Sequence, residues 1–285
     1  MATNKSNTTS NVKFKNLFWF FLASTSLLLT GFYAAEQSDP ITLSLLIWCN
    51  FLGVFLVYRL NDIIDQNADF SFNIRNFFSY TLHKVVVLQL LFVAIPLVLY
   101  FVDPFVFLIL AIAAVIGILY SISFKIGGSI FRLKNVFLVK NILIGVIWGS
   151  LVIIGAGQAD DPLIHLVFIF ASIQVFIGGI IRDIPDLEKD RQSGVKSFPV
   201  VIGIPATVFF IHVVNLSLLF FCIFQKYDQI LLIFIAVPTA WRALNIYLLG
   251  LAPKNSNWSQ WMNLFTCVLI LITFLTLVNY DIINK

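Results

Sequence analysis

Charge is scarce in this chain. Only 11% of its 285 residues are Asp, Glu, Lys or Arg, while 60% are hydrophobic, a balance far outside that of a soluble globular domain. Cysteine is scarce too: Cys49, Cys222 and Cys267 are odd in number, fall in different apolar stretches, and make neither a metal-binding spacing nor a disulfide framework. The three histidines, His83, His165 and His212, are too scattered to form a catalytic or metal set. No basic patch with interleaved aromatics is present, so nucleic acid is excluded as a partner. No segment between the apolar runs could hold a soluble domain. The first apolar run is long enough to span a bilayer and carries no A-x-A-like cleavage pattern, which argues against a signal peptide.

What fills the chain is long apolar sequence. A bilayer core needs about 20 apolar residues per helical crossing, and spanning segments must be helical or closed barrels because lipid satisfies no backbone groups. Barrel strands alternate; runs such as residues 85–101 and 264–278 are apolar on nearly every face. The pattern predicts an all-α integral membrane protein with nine spans, near residues 16–34, 41–60, 82–102, 104–122, 138–156, 162–181, 200–222, 228–250 and 261–280. Residues 1–15, rich in Asn, Ser, Thr and Lys, read as a disordered tail, and 16–285 as one transmembrane domain.

Short loops enriched in Lys and Arg stay on the cytoplasmic side. With a cytoplasmic N-terminus, sixteen of the eighteen basic residues fall on or nearest that side, leaving only Lys226 and Lys285. The net charge of +4 therefore reflects topology.

The acids divide into two groups. Glu36, Asp39, Asp103, Asp160 and Asp161 are among the seven spread through the opposite loops as ordinary solvated groups. The other seven cluster: Asp62, Asp65 and Asp69 at the cytoplasmic end of the second span, and Asp183, Asp186, Glu188 and Asp190 at that of the sixth. Both clusters contain D-x2-D-x3-D, which at about 100° per helical residue holds three carboxylates within about 60° of one face. Stacked carboxylates repel, and burying them in a membrane is costly, so a cation must offset them. Magnesium suits this arrangement, because it takes oxygen ligands and bridges carboxylates to a substrate phosphate.

The segment Asn61-Asp62-Ile63-Ile64-Asp65-Gln66-Asn67-Ala68-Asp69 resembles the N-D-x-x-D-x-x-x-D signature of the UbiA superfamily of membrane prenyltransferases, matching every fixed position. The stretch from Asp183 to Asp190, running on through Arg191, Gly194, Val195, Lys196 and Pro199, is similar to the second signature of that family. The resemblance covers nearly the whole chain. It implies nine helices around a central cavity opening near the cytoplasmic face, with Asn61, Asp65 and Asp69 holding one magnesium, Asp183, Asp186 and Asp190 the other, and Asp62 in support. Within that set Asp65, Asp69, Asp186 and Asp190 are the catalytic candidates. A third region departs from the family pattern: Tyr120 and Lys125 have four residues and no prolines between them, and Arg132 follows a glycine-containing insert. Lys125, Arg132, Lys189 and Arg191, with Tyr120, are the candidate diphosphate contacts.

The implied reaction is ionisation of an allylic diphosphate, with charge on the leaving group neutralised by metal and basic side chains, and capture of the allylic cation by an aromatic or other lipid-soluble acceptor. A terpene cyclase acting on the same diphosphate is the alternative. A transporter or channel is a second alternative, but it predicts charges near the bilayer midplane and discontinuous helices. Asn141, Trp148 and Gln174, inside the fifth and sixth spans, are expected to bond other helices ahead of binding an acceptor. Acceptor identity, chain length and oligomeric state are not legible in the sequence.

Overall fold

The structure is a computed structural model that describes residues 6–66, 97, 100, 103–121, 123–126, 129–157, 160–251 and 256–284; of residues 59–66 and 123–132 it describes the backbone alone. Eight long helices are present: α1 (Ser6–Ala34), α2 (Pro40–Gln66), α3 (Pro104–Ser121), α4 (Val139–Ala156), α5 (Pro162–Asp183), α8 (Ile204–Phe224), α9 (Gln229–Leu251) and α10 (Ser256–Asn284). They correspond to eight of the nine expected spans. The third, 82–102, lies outside the described residues except for Leu97 and Tyr100, both helical. Two short helices, α6 (Leu187–Gln192) and α7 (Phe198–Ile202), follow α5.

Five of the described helices are long and apolar enough to cross a membrane by themselves: α1 over Leu17–Ala34, α4, α5, α8 and α9 over Gln229–Gly250. Shorter apolar stretches lie in α2, α3 and α10. The outer surface is correspondingly greasy. Phe224 is 82% exposed, Phe209 71% and Tyr247 61%, a distribution that fits lipid contact and not water. The chain is an integral membrane protein.

Helix α1 begins at Ser6; once an apolar span nucleates a helix, each added residue needs only propagation, so polar flanks are recruited at little cost. The all-α expectation needs correction: the described residues are not wholly helical, because β1 (Ser123–Ile126) and β2 (Ser129–Arg132) pair antiparallel, Ser123 opposite Arg132 and Ile126 opposite Ser129.

The seven acids outside the motifs include more than solvated loop groups. Asp39 accepts the backbone N–H of Ile41 and Thr42 at the start of α2. Asp103 accepts that of Val106 in α3, Asp161 that of Leu163 in α5, and Asp228 that of Leu231 in α9. In the first three a proline follows directly, at a position where the missing N–H costs nothing. These four helices start at the same end of the bundle, opposite the acidic motifs.

Helix α1 runs through the middle of the packing, against α2, α4 and α10, while α4 lies along α5. Glycine permits the closest approaches. A Cβ on Gly155 of α4 would stand 1.9 Å from the Leu28 carbonyl oxygen of α1, and one on Gly31 would stand 1.8 Å from that of Val152. Small residues at such crossings bring backbones together where lipid supplies no hydrophobic drive. The main core gathers Leu27, Leu28, Val152, Ile154, Ile164, Val167 and Phe170. A second core of Ile177, Ile180, Ile181, Ile184, Phe198, Ile211, Ile246 and Leu249 lies under the end of α5.

Candidate functional site

The second acidic motif is not one helical face. Helix α5 ends at Asp183, the Ile184 N–H bonds back to the Ile181 carbonyl, and Pro185 follows. Proline has no N–H to continue the ladder and disfavours helix in the residue before it. The chain turns and restarts at α6, with Asp186 at the N-cap position. Asp183, Asp186 and Asp190 therefore sit on a helix end, a turn and a second helix, which corrects the expected single face. The second core fixes this turn: Phe198 stacks on Phe210 with centroids 4.9 Å apart and packs on Phe137 at 4.9 Å, while Ile184 is buried beside it.

Each acid has a different surrounding. Asp183 is buried; Lys140 Nζ donates to its Oδ1, and Asn141 Nδ2 donates to its Oδ2 at 3.3 Å. Lys140 and Asn141 lie in the first turn of α4, behind Leu138, a non-glycine residue with φ of 67°. Asp186 is exposed and its side chain caps no helix. Asp190 is 9% exposed, and its Oδ2 has no hydrogen-bond partner among the described residues. Its charge repels that of Asp183. Among the described residues no three His, Cys, Asp or Glu side chains gather closely enough to hold a metal by themselves.

The remaining expected positions are distributed as follows. Asn61, Asp62 and Asp65 are on the last turns of α2, and Asp69 lies outside the described residues. Tyr120 is on the last turn of α3. Lys125 is in β1 and Arg132 in β2, and by register positions 123, 125, 130 and 132 share one face of the ribbon. Lys189 and Arg191 are exposed on α6, where Arg191 pairs with Glu188 at 3.2 Å. That pair is open to water and contributes little. His83 lies outside the described residues. Gln174 bonds other helices, as expected: its Nε2 donates to Asn215 Oδ1 at 3.0 Å.

Phe20 of α1 bridges the two motif-bearing helices. Arg182, adjacent to Asp183, stands over the Phe20 ring at 4.9 Å. Tyr58 stacks on Phe20 at 4.3 Å and precedes Asn61 by three residues, close to one helical turn. Helices α1, α2 and α5 are thereby tied just inside the acidic positions, with Trp148 of α4 edge-on to Phe20 at 6.2 Å.

Sequence reading missed Lys140, Asn141 as a partner of Asp183, and Tyr58. Lys140 gave no signal distinguishing it from other cytoplasmic-side cations. A hard divalent cation fits the donors on view: one buried carboxylate, Asp183, is paired with an ammonium, and a second, Asp190, has an oxygen left without a donor among the described residues.

Comparison with known proteins gives the family and the fold. The model of the UbiA prenyltransferase family matches residues 17–270. Digeranylgeranylglyceryl phosphate synthase of Haloquadratum walsbyi is 35% identical over 69 residues, 23% of this chain and 24% of its own length. The enzyme of the same name from Methanopyrus kandleri is 32% identical over 74 residues, 25% of this chain and 27% of its own. These matches span about a quarter of the curated relatives. A UbiA homologue from Archaeoglobus fulgidus bound to DMAPP and Mg2+ superposes with a TM-score of 0.66 at 14% identity, over 93% of this chain and 97% of that one. An apo UbiA homologue from Aeropyrum pernix superposes with a TM-score of 0.62 at 17% identity, over 90% and 97%.

Proposed function

The chain belongs to the UbiA prenyltransferase family, and from that premise we propose that it transfers an isoprenoid chain from an allylic diphosphate to a lipid-soluble acceptor, with magnesium as cofactor. The observation that carries the reading is the second motif: a buried Asp190 with an unsatisfied oxygen and an exposed Asp186, on a helix end linked to the helix bearing the first motif through the Phe20 ring, which both Arg182 and Tyr58 contact.

In this reading Asn61, Asp65 and Asp69, supported by Asp62, hold one ion, and Asp183, Asp186 and Asp190 the other. Magnesium supplies positive charge against the diphosphate oxygens. Lys125 and Arg132 reach the diphosphate from the hairpin, Lys189 and Arg191 from α6, and Tyr120 from the end of α3. The allylic carbon–oxygen bond breaks with its electron pair leaving on the diphosphate; an acceptor atom then bonds the allylic carbon and gives up its proton. Preorganised charges lower this barrier because they need no reorientation as the leaving group forms.

The finer topology belongs to the same proposal: nine spans around a cavity that opens on the cytoplasmic side, where both motifs and the N-terminus lie. The transporter reading receives no support. Arg242, a charge buried in the middle of α9, has all three guanidinium nitrogens bonded to Gln174 and Asn263 of neighbouring helices.

The test is turnover by purified protein with Mg2+ and allylic diphosphates of several lengths, with and without aromatic acceptors and a prenylglyceryl phosphate, read as pyrophosphate release and product. Acceptor-dependent release is expected. Cyclic hydrocarbon formed without acceptor assigns a cyclase, and no release from any diphosphate overturns the reading.

A further inference from the structure

Among the described residues, Lys140 is the cation paired with an aspartate of the second motif. Its side chain is 20% exposed and that of Asp183 is 6% exposed. The pair joins the first turn of α4 to the last residue of α5, with Asn141 closing the second carboxylate oxygen. Asp183 is thus fully engaged while Asp190, close enough to repel it, keeps an oxygen without a donor. With the Lys140 ammonium on Asp183, the buried Asp190 oxygen is left without a donor among the described residues.

Resting on the functional reading above, we propose that Lys140 is a positioning residue that competes with the metal for Asp183, so that the second metal binds firmly only together with a diphosphate. A cation arriving at Asp190 repels the ammonium beside Asp183. Alone, that repulsion weakens metal binding; a diphosphate supplies a new anionic partner, and Lys140, a compact charge on a flexible stem, moves from carboxylate to phosphate oxygen and frees Asp183 as a ligand. Metal and diphosphate then strengthen each other's binding by the same factor, as linkage requires. Lys140 occupies the turn that follows the hairpin and Leu133–Asn135, beside the segment carrying the other diphosphate candidates.

The test uses full-length protein in detergent, with Mn2+ binding followed by electron paramagnetic resonance, with and without inorganic pyrophosphate. In the wild type, pyrophosphate is expected to tighten Mn2+ binding by about tenfold or more. In Lys140→Met, Mn2+ binding without pyrophosphate is expected to tighten by about tenfold, because a unit charge in contact with the site is gone, and the pyrophosphate effect shrinks accordingly. Lys140→Arg restores the wild-type pattern. A second variant does not depend on Lys140→Met folding: Asp183→Asn should weaken Mn2+ binding more with pyrophosphate than without it, since without pyrophosphate Asp183 is already taken. Unchanged Mn2+ affinity in Lys140→Met, or equal losses with and without pyrophosphate in Asp183→Asn, overturns the inference. If wild-type protein turns over allylic diphosphates, such results sink the inference alone; if it turns over none, the functional reading falls and the inference with it.

Discussion

Arg182 holds its guanidinium 4.9 Å above the centre of the Phe20 ring, one residue before the first acid of the second motif, and Tyr58 of the helix that carries the other motif stacks on the same ring at 4.3 Å. A planar guanidinium covers a ring face better than a compact ammonium does.

Arg182→Met and Phe20→Leu should each lower the unfolding midpoint in detergent, and their double-mutant cycle should show a coupling of about 0.5–2 kcal/mol. Arg182→Lys should recover only part of the loss. Additive effects would show that the contact contributes nothing beyond separate packing.

Asp186 and Asp190 should separate activity from stability. Asp186 is exposed and caps nothing, so Asp186→Ala should leave metal-free stability unchanged while pyrophosphate release falls by about 100-fold or more. Asp190→Asn should lose activity too, yet stabilise the metal-free protein, because it removes a buried charge that repels Asp183. Thermal unfolding in chelator checks both, and a destabilised Asp190→Asn would contradict the second.

Arg242 is 1% exposed and joins three helices of the bundle: Nε donates to Gln174 Oε1 at 3.1 Å, Nη2 to the Gln174 carbonyl at 3.0 Å, and Nη1 to Asn263 Oδ1. Asn263 Nδ2 continues to the Gly178 carbonyl at 2.9 Å. Arg242→Met strands several buried acceptors, each costing about 1–3 kcal/mol. A total loss of about 3 kcal/mol or more is expected from equilibrium unfolding, and a loss below about 1 kcal/mol would show that the acceptors find other donors.

Two glycines should respond with opposite signs. At Gly155 a methyl group would meet a backbone oxygen 1.9 Å away, which cannot rotate aside, so Gly155→Ala should destabilise by about 1–3 kcal/mol. A Cβ on Gly250 meets no atom within 4 Å, and Gly250→Ala inside α9 should stabilise by up to about 1 kcal/mol through helix propensity. Unfolding midpoints of the two variants decide it.

The sequence by itself determined the membrane class and where eight of the described helices lie, because hydrophobic length and residue spacing are local properties written in one dimension. It also held the helix starts at Asp39, Asp103 and Asp161, each followed by proline, although these were legible only as solvated acids until their N–H partners were in place. Tertiary structure decided the rest. Lys140 and Asp183 are 43 residues apart, and no periodicity links a residue on α4 to one on α5; only the packing of those helices brings the ammonium to the carboxylate. The same holds for Arg242 and Gln174, 68 residues apart. Pro185 was visible throughout, but regular helical spacing hid its effect: the second motif is divided between two helices because the backbone donor that would have joined them is absent.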